Sequence, residues 1–137
     1  TNCTVCPAGY YCHYGLLPTA AAADYYSSKG ATSCTACPSG SSCSGGSSSS
    51  SCATGYYSTG TSTNCTYCPP GYYCPSTSIS PVSCAAGYYS LGGTTACTVC
   101  PAGSKCPTTS VTPTNCPLGT YSLSGARNCT SCPAGYA

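Results

Sequence analysis

The sequence contains no phenylalanine, methionine, tryptophan, glutamine or glutamate. Leucine, isoleucine and valine together supply ten of the 137 residues. The side chains that ordinarily fill an interior are nearly missing, which excludes a conventional hydrophobic core. Charge is as scarce: Asp24, Lys29, Lys105 and Arg127 carry the formal charges, His13 is the sole histidine, and the net charge is +2. No basic patch can form, so neither nucleic acid nor anionic lipid is an expected partner. Paired carboxylates for acid–base hydrolysis cannot be assembled from one Asp, and His13 with Asp24 makes no convincing triad; enzyme activity is not expected and no cofactor is implied. No run approaches the roughly 18 consecutive apolar residues of a membrane span. Thr1 opens no secretory leader, so the stretch reads as a mature fragment or an interior window of a longer chain.

What is abundant explains the absences. Cysteine accounts for 17 residues, glycine for 16, tyrosine for 14 and proline for 12. Cysteine at this density identifies a disulfide scaffold, in which covalent bonds take over the work of burial. The CxxC pairs Cys3/Cys6, Cys34/Cys37, Cys65/Cys68, Cys97/Cys100 and Cys129/Cys132 recur at a near-constant interval, and a fixed period of this length makes the chain an array. A full unit reads C-x2-C-P-x-G-x2-C, a variable segment, then C-x2-G-x-Y-S. Residues 1–33 form a degenerate first repeat, 34–64 the second, 65–96 the third, 97–128 the fourth, and 129–137 the start of a fifth. In the first, Ala21 stands where the fourth cysteine belongs and Asp24 where the others carry Gly55, Gly87 and Gly119. Glycine and proline every few residues forbid helices and long strands. The expected fold class is a small disulfide-rich repeat array of short β-hairpins and turns with little regular secondary structure. Its glycines are expected at positive-φ turns and its tyrosines over the disulfides.

Paired cysteines have two other uses. A four-thiolate zinc site carries about two negative charges, and three cationic residues cannot offset several such sites, so no metal is expected. A redox CxxC needs a βαβ setting and does not recur five times. Structural disulfides remain, with two arrangements open. In the favoured one, C-x2-G-x-Y-S closes on the first cysteine of the next pair, giving Cys52–Cys65, Cys84–Cys97 and Cys116–Cys129. Small loops then join Cys6–Cys12, Cys37–Cys43, Cys68–Cys74 and Cys100–Cys106. Cys3, Cys34 and Cys132 are left over, Cys34 having lost its partner to Ala21. The alternative crosses within each unit, as Cys65–Cys74 and Cys68–Cys84. Either way a loop near 15 residues contributes about 3 kcal/mol through the entropy of the unfolded chain.

The string C-x2-G-x-Y-S-x(n)-C-x2-C-P-x-G, as in CATGYYSTGTSTNCTYCPPG (52–71) and CAAGYYSLGGTTACTVCPAG (84–103), resembles the ephrin-receptor-like cysteine-rich repeats. These are relatives of the tumour-necrosis-factor-receptor modules and abound in large protist surface proteins. The resemblance covers essentially the whole chain. It implies an elongated extracellular rod, the first of the two disulfide arrangements, and no catalytic residues.

Asn2, Asn64 and Asn128 each open an Asn-Cys-Thr sequon. They fall at one point of every second unit, with Ser33 and Ala96 between, so covalent N-glycans would decorate the array periodically; the bland alternative is an unmodified turn asparagine. The segments 75–83 and 107–115 mix Ser and Thr with Pro, the composition of O-glycosylated stalks. Ser76, Thr77, Ser78, Ser80, Thr108, Thr109, Ser110 and Thr112 are the acceptors, unless these segments are plain loops. Sugars would keep a nearly uncharged chain in solution, since low net charge promotes association. The expected function is therefore that of a secreted, extracellular structural glycoprotein self-associating into a filament, surface coat or flagellar hair. The alternative is a ligand-binding receptor ectodomain or protist surface antigen, which the bland Ser/Thr/Pro segments disfavour.

Overall fold

A computed structural model of the chain describes residues 5–135. Among these residues there is no helix, and eight two-stranded antiparallel hairpins follow one another without exchange of strands. They are β1 (Tyr10–Tyr11) with β2 (Thr19–Ala20), β3 (Tyr25–Tyr26) with β4 (Thr35–Ala36), β5 (Ser41–Ser42) with β6 (Ser50–Ser51), and β7 (Tyr56–Tyr57) with β8 (Thr66–Tyr67). The series continues with β9 (Tyr72–Tyr73) and β10 (Val82–Ser83), β11 (Tyr88–Tyr89) and β12 (Thr98–Val99), β13 (Ser104–Lys105) and β14 (Thr114–Asn115), and β15 (Thr120–Tyr121) and β16 (Thr130–Ser131). The fold is the disulfide-rich array of short hairpins that the composition requires.

The structural repeat is half as long as the sequence repeat. Each hairpin opens on a seven-residue turn of the form C-x2-G-x2-C or C-x2-G-x-Y-S. These turns begin, at nearly even spacing, at Cys6, Ala21, Cys37, Cys52, Cys68, Cys84, Cys100 and Cys116, and Cys132 to Gly135 starts a ninth. We call each a rung. The amide of its fifth residue donates to the carbonyl of its second, as Tyr10 does to Pro7 and Tyr88 to Ala85, at 3.0–3.2 Å in eight rungs. A turn closed from i+3 to i that is of type II needs a positive φ at its third residue, here the fourth of the rung. That residue is glycine in eight rungs and Asp24 in the other, with φ from 76° at Asp24 to 91° at Gly135. Aspartate tolerates this region better than most residues, so the first repeat keeps its turn without the glycine.

Rungs are tied to one another through backbone. The fourth-residue carbonyl accepts from the amide that begins the next rung: Gly40 from Cys52, Gly71 from Cys84 and Gly87 from Cys100, at 2.8–2.9 Å. The fourth-residue amide donates still further on. Contacts group into two compact units, Thr1–Thr66 with Ser76–Ser80, and Tyr67–Pro75 with Pro81–Ala137. In the first unit Gly40 donates to Ser58, and Ser58 donates to Thr77, at 2.8 and 2.9 Å. In the second the same sequence runs Gly71 to Ser90 to Thr109, at 2.8 and 2.9 Å. The segment 76–80 belongs with the first unit because Thr77 ends its ladder and, with Ser78, lies against the Gly40 turn.

Among the described residues seven disulfides close the rungs in alternation. Cys6–Cys12, Cys37–Cys43, Cys68–Cys74 and Cys100–Cys106 span six residues within one rung. Cys52–Cys65, Cys84–Cys97 and Cys116–Cys129 span thirteen and join the start of a rung to the CxxC that follows. Cα atoms are 5.7–6.1 Å apart throughout. The two cysteines of a CxxC therefore enter different bonds: Cys65 reaches back to Cys52 and Cys68 forward to Cys74, where the crossed arrangement would have paired Cys65 with Cys74. Rungs without an internal bond end in serine, and Ser27, Ser58, Ser90 and Ser122 are buried. The Ser27 hydroxyl donates to the Tyr10 carbonyl at 2.9 Å, and the Ser122 hydroxyl to the Ser104 carbonyl at 2.6 Å. The largest fully buried side chains among the described residues are Cys43, Cys68, Cys100, Cys106 and Ser27. The interior is narrow: among the described residues its buried side chains are those of cysteine and serine, with Ala21, and none is larger.

This narrowness makes a prediction. A Cβ on Gly87 would lie 2.5 Å from the Gly125 carbonyl oxygen, whereas one on Gly103 would meet nothing within 4 Å, although φ is +84° and +78°. Gly103→Ala carries the backbone penalty alone, about 1–2 kcal/mol. Gly87→Ala adds overpacking against backbone, a further ~1–3 kcal/mol. Urea unfolding with disulfides intact should show a clearly lower midpoint for Gly87→Ala; equal midpoints would refute the close approach.

Candidate functional site

The groups with chemistry to offer lie on the outside of the rungs. Asn64 and Asn128 are exposed, close before β8 and β16. In each sequon the cysteine is half-buried in a disulfide, Cys65 with Cys52 and Cys129 with Cys116, while Thr66 and Thr130 open the strands and are exposed. Alternation along an extended chain turns the cysteine inward and both the asparagine and the threonine outward. The Asn64 side chain donates to the Thr63 hydroxyl at 3.5 Å. Asn2 and Cys3 lie outside the described residues.

The Ser/Thr/Pro segments are not uniformly loose. Ser76, Ser78, Ser80, Thr108, Ser110 and Thr112 are exposed, but Thr77 and Thr109 are half-buried. Their carbonyls end the backbone ladders, and their hydroxyls lie where a Cβ on Gly40 or Gly71 would meet them, at 3.0 and 3.2 Å. The Ser76 and Ser78 hydroxyls pair at 2.8 Å. Sequence composition separates none of these; the signal would have been position, since Thr77 follows Ser58 by the same interval at which Thr109 follows Ser90.

In the Tyr-Tyr strands the first ring is exposed and the second half-buried, as with Tyr25/Tyr26, Tyr72/Tyr73 and Tyr88/Tyr89. Two grooves form beside them. One, of about 290 Å³, is lined by Tyr11, Ala20, Ala22, Tyr25, Ser33 and Cys34, together with Thr32 and His13. The other, of about 350 Å³, is lined by Tyr73, Ser83, Ala85, Tyr88, Ala96 and Cys97. Position for position these are one groove occurring twice. The His13 ring meets Tyr11 edge-on, with centroids 5.5 Å apart. A third hollow, of about 270 Å³, includes Thr108, Thr109 and Arg127, and the Arg127 guanidinium donates to the Pro107 carbonyl at 3.3 Å.

Among the described residues no three His, Cys, Asp or Glu side chains converge as metal ligands. The thiols of Cys34 and Cys132 are free and half-buried. No helix among these residues is long and apolar enough to cross a membrane. The chain matches no model of a known protein family and no curated protein.

Cys34 has a geometric counterpart in waiting. Ala21 is buried and precedes Cys34 by 13 positions, the separation of the three longer disulfides. Ala21→Cys should close the missing bond. The variant should show one titratable thiol fewer than the parent despite its added cysteine, and gain about 2–3 kcal/mol in unfolding free energy. A variant with one thiol more would disprove the equivalence of this rung with the others.

Proposed function

We propose that the chain is a structural module of an extracellular assembly, N-glycosylated at Asn2, Asn64 and Asn128 and built to associate with further copies of itself into a filament or coat. The observation that carries this reading is the presentation of the sequons. Asn64 and Thr66, like Asn128 and Thr130, face solvent at one point of alternate repeats, while the intervening cysteine is consumed by the fold. Disulfides at this density belong to an oxidising compartment, where N-glycans are also added. A net charge of +2 over the whole chain leaves the surface without electrostatic protection against association. Sugars supply that protection where they stand and leave the remaining surface free to pack. On the Ser/Thr/Pro segments the exposed hydroxyls of Ser76, Ser78, Ser80, Thr108, Ser110 and Thr112 are the better O-glycan acceptors, since Thr77 and Thr109 are held against glycine turns.

Mass spectrometry of peptides from native material, before and after enzymatic release of N-glycans, should find Asn64 and Asn128 converted to aspartate. Electron microscopy of the same material should find ordered polymers; isolated monodisperse particles would favour the receptor reading. Thr66→Ala with Thr130→Ala should abolish both sugars, leave unfolding within about 0.5 kcal/mol because both side chains are exposed, and lower solubility. Unchanged glycan mass in that variant would remove the sequons from the account.

A further inference from the structure

The two tyrosine grooves recur at equivalent positions of the first and third repeats, and their recurrence needs explaining. We propose that they are binding sites for one neutral pyranose ring, and that the ring is the N-acetylhexosamine of an asparagine-linked glycan carried by a second copy of the chain. This rests on the glycosylated, self-associating module proposed above and gives that association its contact.

The lining selects the chemistry. Both grooves combine two phenol rings with the methyl groups of alanines, Ala20 and Ala22 in one, Ala85 and Ala96 in the other. Both add hydroxyls, from Thr32 and Ser33 or from Ser83. No Lys, Arg, Asp or Glu lines either, and the second groove has no counterpart to the His13 of the first, so in a site common to both a phosphate, an acidic peptide or a nucleic acid would have to shed water without gaining a counter-charge. A wholly apolar ligand would bury those hydroxyls without partners. A pyranose has what is wanted: one face of C–H bonds to lie on the electron-rich face of a phenol ring, and an edge of hydroxyl and acetamido groups to exchange hydrogen bonds. Volumes of about 290 and 350 Å³ stand at the lower limit of small-molecule sites, suited to one ring rather than an extended chain. The tyrosines Tyr25 and Tyr88 are 38% and 43% exposed, so a ligand reaches them without opening the fold.

The register selects the source. Ser33 and Ala96, which line the grooves, occupy the position that Asn64 and Asn128 hold in the other repeats. At the tyrosine positions the alternation runs the other way. Repeats one and three carry Tyr11/Tyr25 and Tyr73/Tyr88, while repeats two and four carry Ser42/Tyr56 and Lys105/Thr120. Repeats two and four thus have the sugar acceptor without the pair of rings and repeat three the rings without the acceptor, while repeat one carries the rings with Asn2 at its start.

The test uses the full chain, first with its N-glycans enzymatically removed. Titration with N,N′-diacetylchitobiose, followed through the tyrosine ring protons by NMR, should shift Tyr11, Tyr25, Tyr73 and Tyr88 saturably. Tyr25→Ala should erase the response at Tyr11 and leave that at Tyr73 and Tyr88, which also reports that the variant is folded; Tyr25→Phe should retain it at Tyr11. No saturable shift, or a response at Tyr11 that survives Tyr25→Ala, would overturn the site. Because the sugar is added, this result stands whether or not Asn64 and Asn128 are occupied, a separate question for the mass spectrum. In the glycosylated chain, sedimentation should then show concentration-dependent association that free N,N′-diacetylchitobiose reverses. Association unaffected by the disaccharide would overturn the second copy as the source, as would groove occupancy that is independent of concentration.

Discussion

A backbone amide at the fourth position of a rung has to find the carbonyl that ends the following rung, as Gly9 finds Ser27 and Gly71 finds Ser90. In most small domains such a bond forms because side chains on both segments are already packed together. Here that driving force is absent, since among the described residues none larger than cysteine is fully buried. A hydrogen bond exchanged with water contributes on the order of 1 kcal/mol, which cannot order a free chain against about 1–2 kcal/mol of backbone entropy for each residue fixed. The segments must be held near their final positions in advance. Disulfides spanning six and thirteen residues do this by restricting the unfolded chain, and the positive-φ residue between them fixes the direction in which the turn leaves. The ladder is then the consequence of two local constraints repeated along the chain.

The same economy determines what the surface can be. Because sulfur and small hydroxyls occupy the inside, nearly all the tyrosine and aliphatic side chains remain at least partly outside: Tyr10, Tyr25, Tyr72 and Tyr88 are 38–43% exposed, and Leu118 is fully so. Single exposed apolar side chains are common on folded proteins, but here they include most of the tyrosine and aliphatic groups of the described residues. With four formally charged residues in the whole chain, the surface has little field with which to steer any encounter.

Much of this was legible in the sequence because cysteine spacing leaves little freedom. The array, the hairpins and the absence of helices follow from Cys, Gly and Pro at fixed offsets. The half-length period was concealed by two disguises. Ser27, Ser58, Ser90 and Ser122 take the seventh position that cysteine holds in neighbouring rungs, and one atom, oxygen for sulfur, hides the equivalence from a search conducted on cysteine. Asp24 and Ala21 hide a whole rung in the same manner. The glycines of the turns, with Asp24 admitted, recur at half the CxxC interval and would have revealed it. What could not be read was any long-range contact. That Thr77 completes a ladder begun at Gly40, or that Tyr11 and Tyr25 share a groove, depends on how successive rungs within a unit are set against one another, which no local pattern encodes.

The alternation of closing bonds gives the array two kinds of rung. A rung sealed within itself, such as Cys68–Cys74, is followed by one that borrows its partner from beyond its own turn, such as Cys84–Cys97. Each bond nevertheless lies wholly between the start of one rung and the start of the next, so gain or loss of a whole rung with its hairpin carries both sulfurs together and strands none, whereas Cys34 is left over because Ala21 replaces one sulfur alone. A chain of this build can therefore lengthen or shorten one rung at a time, and an unmatched thiol records the replacement of a single cysteine, not a change of length.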